Sequence, residues 1–67
     1  MLSRLTREFK LLLAGRHFLG EDAQELANEY SVSRTTAYSI IQQHRPNKDP
    51  AIEAARIYYL SRETGIY

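Results

Sequence analysis

The chain has no cysteine, and that one absence removes several function classes at once. Without thiols there is no disulfide framework and no thiolate zinc site, which suits a reducing cytoplasm. Its two histidines, His17 and His44, stand alone, with neither a third ligand nor an H-x-x-H spacing beside them. No metal and no other cofactor is therefore expected. A G-x-S-x-G turn, a glycine-rich phosphate loop and a catalytically spaced pair of acids are all missing, so the sequence does not read as an enzyme. Long apolar runs are missing too. Nothing approaches the roughly 18 residues of a membrane span. Residues 11–14 are too short for the centre of a secretion signal, despite Arg4 and Arg7 ahead of them. The expected location is the cytoplasm, away from any membrane. No strand-length alternation, internal repeat or low-complexity stretch appears either.

What is there is an ordinary globular composition, 43% hydrophobic and 25% charged, in 67 residues. That is one domain, 1–67, with a thin core, and association with a second copy is the simplest way to strengthen it. The net charge of +1 is unevenly spread. Residues 1–16 hold Arg4, Arg7, Lys10 and Arg16 against Glu8, a net +3; residues 17–29 hold four acids, Glu21, Asp22, Glu25 and Glu29. Residues 30–48 hold Arg34, Arg45 and Lys48, again +3, and residues 49–67 carry −1. Each block alone reads equally well as a solvated helix face. A polyanionic partner requires the two basic blocks to share a surface.

Helical periodicity predicts an all-α, four-helix fold. Leu2, Leu5, Phe9, Leu12 and Leu13 recur at steps of three and four, predicting a helix over 2–14 ended by Gly15. A second helix over 22–30 opens on Asp22, with Glu25 three residues later as in a capping box. The four acids are expected to favour that helix start and to line a solvated face. Ser33 caps a third helix over 33–44. After a loop through Pro46, Asp49 as N-cap and Pro50 at the first position predict a fourth helix over 50–64, closed by Gly65.

Residues 23–42 fit the twenty positions of a helix-turn-helix. Ala27, at the fifth, is small enough for two helices to cross there. Leu26 and Tyr30 supply the inner face of the first helix, and Val32 plugs the angle between the two. At about 100° per residue, Thr36, Ala37, Ile40 and Ile41 group on the inner side of the second helix. Arg34, Thr35, Tyr38, Ser39 and Gln42 group on the other, a hydrogen-bonding face without a carboxylate, as a helix in the major groove requires. Two plainer readings compete: Tyr38 as a half-buried packing residue and Arg34 as a solvated charge.

The run LANEYSVSRTTAYSII resembles the helix-turn-helix of phage Mor-type activators and of the C-terminal domains of invertase-type serine recombinases. There, a V-S-R-x-T-like turn leads into a helix with an aromatic near the position of Tyr38. The resemblance covers about twenty residues, a motif and not a whole protein. It implies that Ser33, Arg34, Thr35, Tyr38, Ser39 and Gln42 face DNA. Ser31 stands where those families usually have a left-handed glycine, which implies a turn that is slightly strained or slightly different. Ala37 replaces a larger aliphatic residue, leaving space for Phe18, Tyr58 or Tyr59.

The function expected is sequence-specific binding of double-stranded DNA at an inverted repeat, by a homodimeric repressor or autoregulator of a plasmid, phage or other bacterial genetic element. Arg45 and Lys48 add phosphate contacts, and no small-molecule ligand is expected. A recombination accessory factor would use the same chemistry; a helical protein-interaction module, an antagonist or adaptor, is the competing class. On the fourth helix, Ala51, Ile52, Ala55, Tyr58 and Tyr59 form one stripe for docking. Ile57 and Leu60, with Leu11 on the first helix, project elsewhere. Ile57, Leu60 and Tyr58 are thus the expected dimer interface, with the first helix as the alternative.

Overall fold

A computed structural model describes residues 6–64, the side chains of residues 63 and 64 excepted. The predicted positions of Leu2, Arg4, Leu5 and Gly65 lie outside the described residues. The fold is all-α, with four helices among the described residues: α1 Arg7–Phe18, α2 Ala23–Glu29, α3 Arg34–His44 and α4 Asp49–Thr64, a 3₁₀ turn at Arg45–Asn47 joining the last two. No strand occurs among the described residues, and no helix among them is long and apolar enough to cross a membrane.

The central helix is α1, which packs against all three others and most extensively against α4. That position explains why four successive residues, Leu13, Ala14, Gly15 and Arg16, are buried, which a helix with one covered face does not allow. Gly15 does not end the helix, contrary to the local reading. It faces α4, where an added Cβ would lie 2.5 Å from the carbonyl carbon of Ala51 and nearer still to its oxygen. The roughly 1 kcal/mol that glycine costs inside a helix is outweighed by this close backbone approach. α1 ends instead at Gly20, whose φ of +120° is open to glycine and rarely adopted by other residues. There the Gly20 N–H donates to the His17 carbonyl at 2.9 Å and the Glu21 N–H to that of Arg16 at 3.0 Å. This is a Schellman closure.

The caps of α2 and α3 are those expected. The Asp22 carboxylate accepts from the Glu25 N–H at 3.1 Å, and the Ser33 hydroxyl accepts from the Thr36 N–H at 3.1 Å. The turn between them is a second Schellman closure: Ser31 N–H to Asn28 carbonyl, 3.2 Å, and Val32 N–H to Ala27 carbonyl, 2.9 Å. Here the left-handed residue is Ser31, at φ +59°, as its place in the turn implied. α4 begins one residue earlier than predicted. The Lys48 carbonyl accepts from the Ile52 N–H at 2.9 Å, and Asp49 falls in the first turn, where its charge complements the helix dipole.

The core is built on small residues. Among the described residues six of the ten buried hydrophobics are alanine, and the largest fully buried side chains are Leu13, Leu26 and Ile41. Alanine lets helices approach closely but withdraws little apolar surface from water, so this core is a weak source of stability. Phe18, Tyr30 and Val32 pack around its edge, and so does Leu11, which was expected to project. Leu11 belongs to the core because α1, unlike a peripheral helix, is covered on several sides.

Candidate nucleic-acid interface

The interior of the helix-turn-helix is assembled as its spacing requires. Leu26, Ala27, Ala37, Ile40 and Ile41 are buried, and Val32 folds back against them. Ala27 is both the small residue at the crossing and the acceptor that closes the turn. The outward residues Ser33, Arg34, Thr35, Tyr38, Ser39 and Gln42 are all exposed, as are Arg45 and Lys48 beyond them. Thr36 is exposed as well, not turned inward, because its hydroxyl accepts from Ser33 Oγ at 2.9 Å. Ser33 thus has its hydroxyl committed to the helix cap on both sides.

Tyr38 is 42% exposed, so its ring is more a surface group than a packing one. It carries the Arg34 guanidinium one helical turn before it, 5.8 Å from the ring centroid. That cation–π contact restrains a long side chain at little desolvation cost. At the other end of α3, Arg45 Nε donates to Gln42 Oε1 at 3.3 Å. Lys48 is exposed, with its ammonium 5.3 Å from the centroid of the Phe18 ring. Neither α3 nor the following 3₁₀ turn contains a carboxylate, so the strip from Arg34 to Lys48 is free of acids and basic at its two ends.

The expected grouping of the remaining charges is corrected. Arg16, counted in the basic N-terminal block, is 6% exposed and points inward. Its Nε and Nη2 donate to Glu21 at 2.7 and 2.9 Å; its Nη1 and Nη2 donate to Glu29 at 2.8 and 3.1 Å; Nη1 also reaches the Tyr30 hydroxyl at 3.3 Å. The Tyr58 ring lies 4.7 Å from the guanidinium, and the Tyr59 hydroxyl donates to Glu21. Glu21 and Glu29 are therefore partners of a buried cation, Glu21 half-buried and Glu29 still on a solvated face. The Glu21 and Glu29 hydrogen bonds raise the Arg16 pKa against the opposing effect of burial, and the Arg16 hydrogen bond lowers that of Glu29. Burial pushes the Tyr30 hydroxyl up. Tyr58 and Tyr59 are engaged in this cluster, so neither fills the space beside Ala37; Phe18 packs against the core that contains it.

Of the other basic residues, Arg7 and Lys10 start α1, whose Phe9 ring meets the Tyr30 ring at 6.1 Å. The first turn of α1 therefore meets the end of α2 through that ring pair. The exposed start of α2 is acidic, with Asp22 and Glu25, so it repels a phosphate backbone. Both histidines turn onto backbone: His17 Nδ1 lies 3.0 Å from the Glu21 carbonyl and His44 Nδ1 3.0 Å from that of Ile40. Among the described residues no group of His, Cys, Asp or Glu is placed to hold a metal ion.

Neither a family model, nor a curated protein, nor a solved structure matches this chain. The arrangement of its own residues is therefore what bears on its activity.

Proposed function

We propose that this chain binds double-stranded DNA sequence-specifically, laying α3 in the major groove, and acts in the cytoplasm as a transcriptional repressor or autoregulator of a bacterial, plasmid or phage genetic element. The observation that carries the reading is the outer face of α3. Arg34, Thr35, Tyr38, Ser39 and Gln42 are exposed together, free of carboxylates, on a helix fixed to α2 by a closed turn. Arg34 suits the acceptor edge of guanine, Gln42 that of adenine, and Tyr38 an apolar contact with a thymine methyl. Arg45 and Lys48 supply phosphate contacts at the far end of the helix. The acidic start of α2 takes no part. A recombination accessory factor would bind DNA by the same residues.

The test is selection of bound fragments from random duplex DNA at fixed, stated salt. Enrichment of a sequence of about four or five base pairs per copy, arranged as an inverted repeat, is the expected result. Each phosphate neutralised should contribute about −0.9 to the slope of log K against log salt. A slope near zero with no enriched sequence removes the reading. The exposed Ile57 and Leu60 favour a second one, a helical protein-interaction module, and that result would promote it.

A further inference from the structure

α1 and α4 run antiparallel, Gly15 against Ala51 and Ala55, with a groove of about 480 Å³ open between them on the outer side. Leu12, Ala54, Ile57 and Tyr58 line its apolar part, and Glu8 and Arg62 also border it, each one helical turn beyond that part. Ile57 on its wall and Leu60 just outside it form a raised edge, a ridge 57% and 60% exposed. None of the lining residues belongs to α3.

We infer that the occupant of this groove is a second copy of the chain, related by a two-fold axis, with the ridge of each copy seated in the groove of the other. A ridge and a groove side by side on one patch are self-complementary under a two-fold, as an isologous interface demands. The polar border fits the same operator, because each copy brings an acid, Glu8, and a base, Arg62. Area decides how much surface takes part. A stable interface buries at least about 1,000 Å² in total, or about 500 Å² per copy. The 16 residues of α4 make a strip about 24 Å long and 10–12 Å wide, roughly half of that. Only the first two turns of α1 border the groove, through Glu8 and Leu12, so they widen the strip in part, and the contact is a small one with weak association. The partner therefore covers both helices, with Leu12 and Glu8 in the contact, and Tyr58 forms the groove floor while its ring holds Arg16 and Arg62. A core of alanines gives the single chain reason to recruit this apolar surface.

The dimer leaves α3 uncovered and is argued without reference to DNA, so its test needs none. Sedimentation equilibrium of the intact chain from 1 to 100 μM, without DNA, should show a dimer; these concentrations bracket the weak-to-moderate association expected of a small interface. Ile57→Glu and Leu60→Glu, each at an exposed position, should each weaken it at least about 30-fold with helical circular dichroism kept. Leu19→Glu, at the opposite end of α1, should leave the dimer intact. A monomeric wild type, a dimer that survives both groove variants, or one equally sensitive to Leu19→Glu overturns the proposal. If Ile57→Glu fails to fold, Leu60→Glu reads the same surface. A monomer that still selects DNA defeats the dimer alone; a dimer that selects nothing defeats only the DNA reading.

Discussion

Arg16 and Arg34 each lie over a tyrosine ring, Tyr58 at 4.7 Å and Tyr38 at 5.8 Å, yet they do opposite things. Two carboxylates meet Arg16 from the turn after α1 and the end of α2, and its charge is used up inside the molecule. On α3 there is no acid to meet Arg34, and its charge is left for something outside. What separates a structural arginine from an available one is thus the neighbouring carboxylates, not the aromatic ring both share. The two regions also differ in packing. Around Arg16 three helices converge with backbone in contact at Gly15, whereas α3 beyond its buried stripe is an open face.

The largest effect should come from Gly15, because it sets the α1–α4 distance that brings Tyr58 over Arg16. Gly15→Val puts side-chain atoms into the Ala51 carbonyl, which is backbone and cannot turn aside. Overpacking typically costs about 1–3 kcal/mol, and this case should exceed that range. The expected outcome is loss of cooperative thermal unfolding by circular dichroism. A variant that melts like wild type would mean that α1 and α4 are further apart.

Next comes Arg16→Met, which keeps the length of the side chain and removes the cation. Breaking a buried pair costs about 3–5 kcal/mol, but Glu29 is 49% exposed and recovers water, so about 2–3 kcal/mol is expected in urea unfolding. The pH dependence gives a second readout. Because Arg16 holds the folded-state pKa of Glu29 below its ordinary value, their contact stabilises the fold above the unfolded pKa, near 4.5. That stability is lost as pH falls from there through the folded value. Wild type should weaken below about pH 4.5, and the variant should show a flatter acid limb. Equal acid limbs would place the pH sensitivity elsewhere.

These two positions also mark where the sequence was hardest to read. α2 and α3 were legible with their caps, because Asp22 and Ser33 act within three residues of themselves. The stripe of α4, with Ala51 and Ala55 inward and Ile57 and Leu60 outward, followed from period alone. The exposed face of α3 followed likewise. Gly15 misled because a glycine that ends a helix and one that admits a neighbouring helix look alike until the neighbour is known. Arg16 did leave a signal: it continues the apolar stripe through Phe9, Leu12 and Leu13, and an arginine there must find acids. Thr36 was misjudged, since period puts it on the inner side, whereas at the helix start its hydroxyl meets Ser33 and stays exposed.

Removing Arg34 should affect binding and leave the fold alone. Arg34→Ala loses only an exposed contact to Tyr38, so the unfolding midpoint should barely move. If Arg34 reads a base, the selected sequence should bind more weakly by about 1–3 kcal/mol, with non-specific DNA less affected. Equal losses on both would reduce Arg34 to a phosphate contact. No change on either would break the contrast with Arg16 altogether.

The smallest effect should be at Ser31, and it is a gain. The ends of α1 and α2 share one hydrogen-bond pattern, yet one uses glycine and the other serine. Their φ values explain the difference. Ser31, at +59°, is in the left-handed helical region that other residues enter at about 1–2 kcal/mol; Gly20, at +120°, is beyond it. Space is not what matters at Gly20, since a Cβ there would meet nothing within 4 Å. Ser31→Gly removes the strain but gives the unfolded chain more freedom, so the net gain should be about 0.5–1 kcal/mol. Gly20→Ser should lose more than that. Both are read as urea midpoints at constant slope. If Ser31→Gly destabilises instead, the serine hydroxyl contributes more than the backbone relief, and the two turns are alike only in their hydrogen bonds.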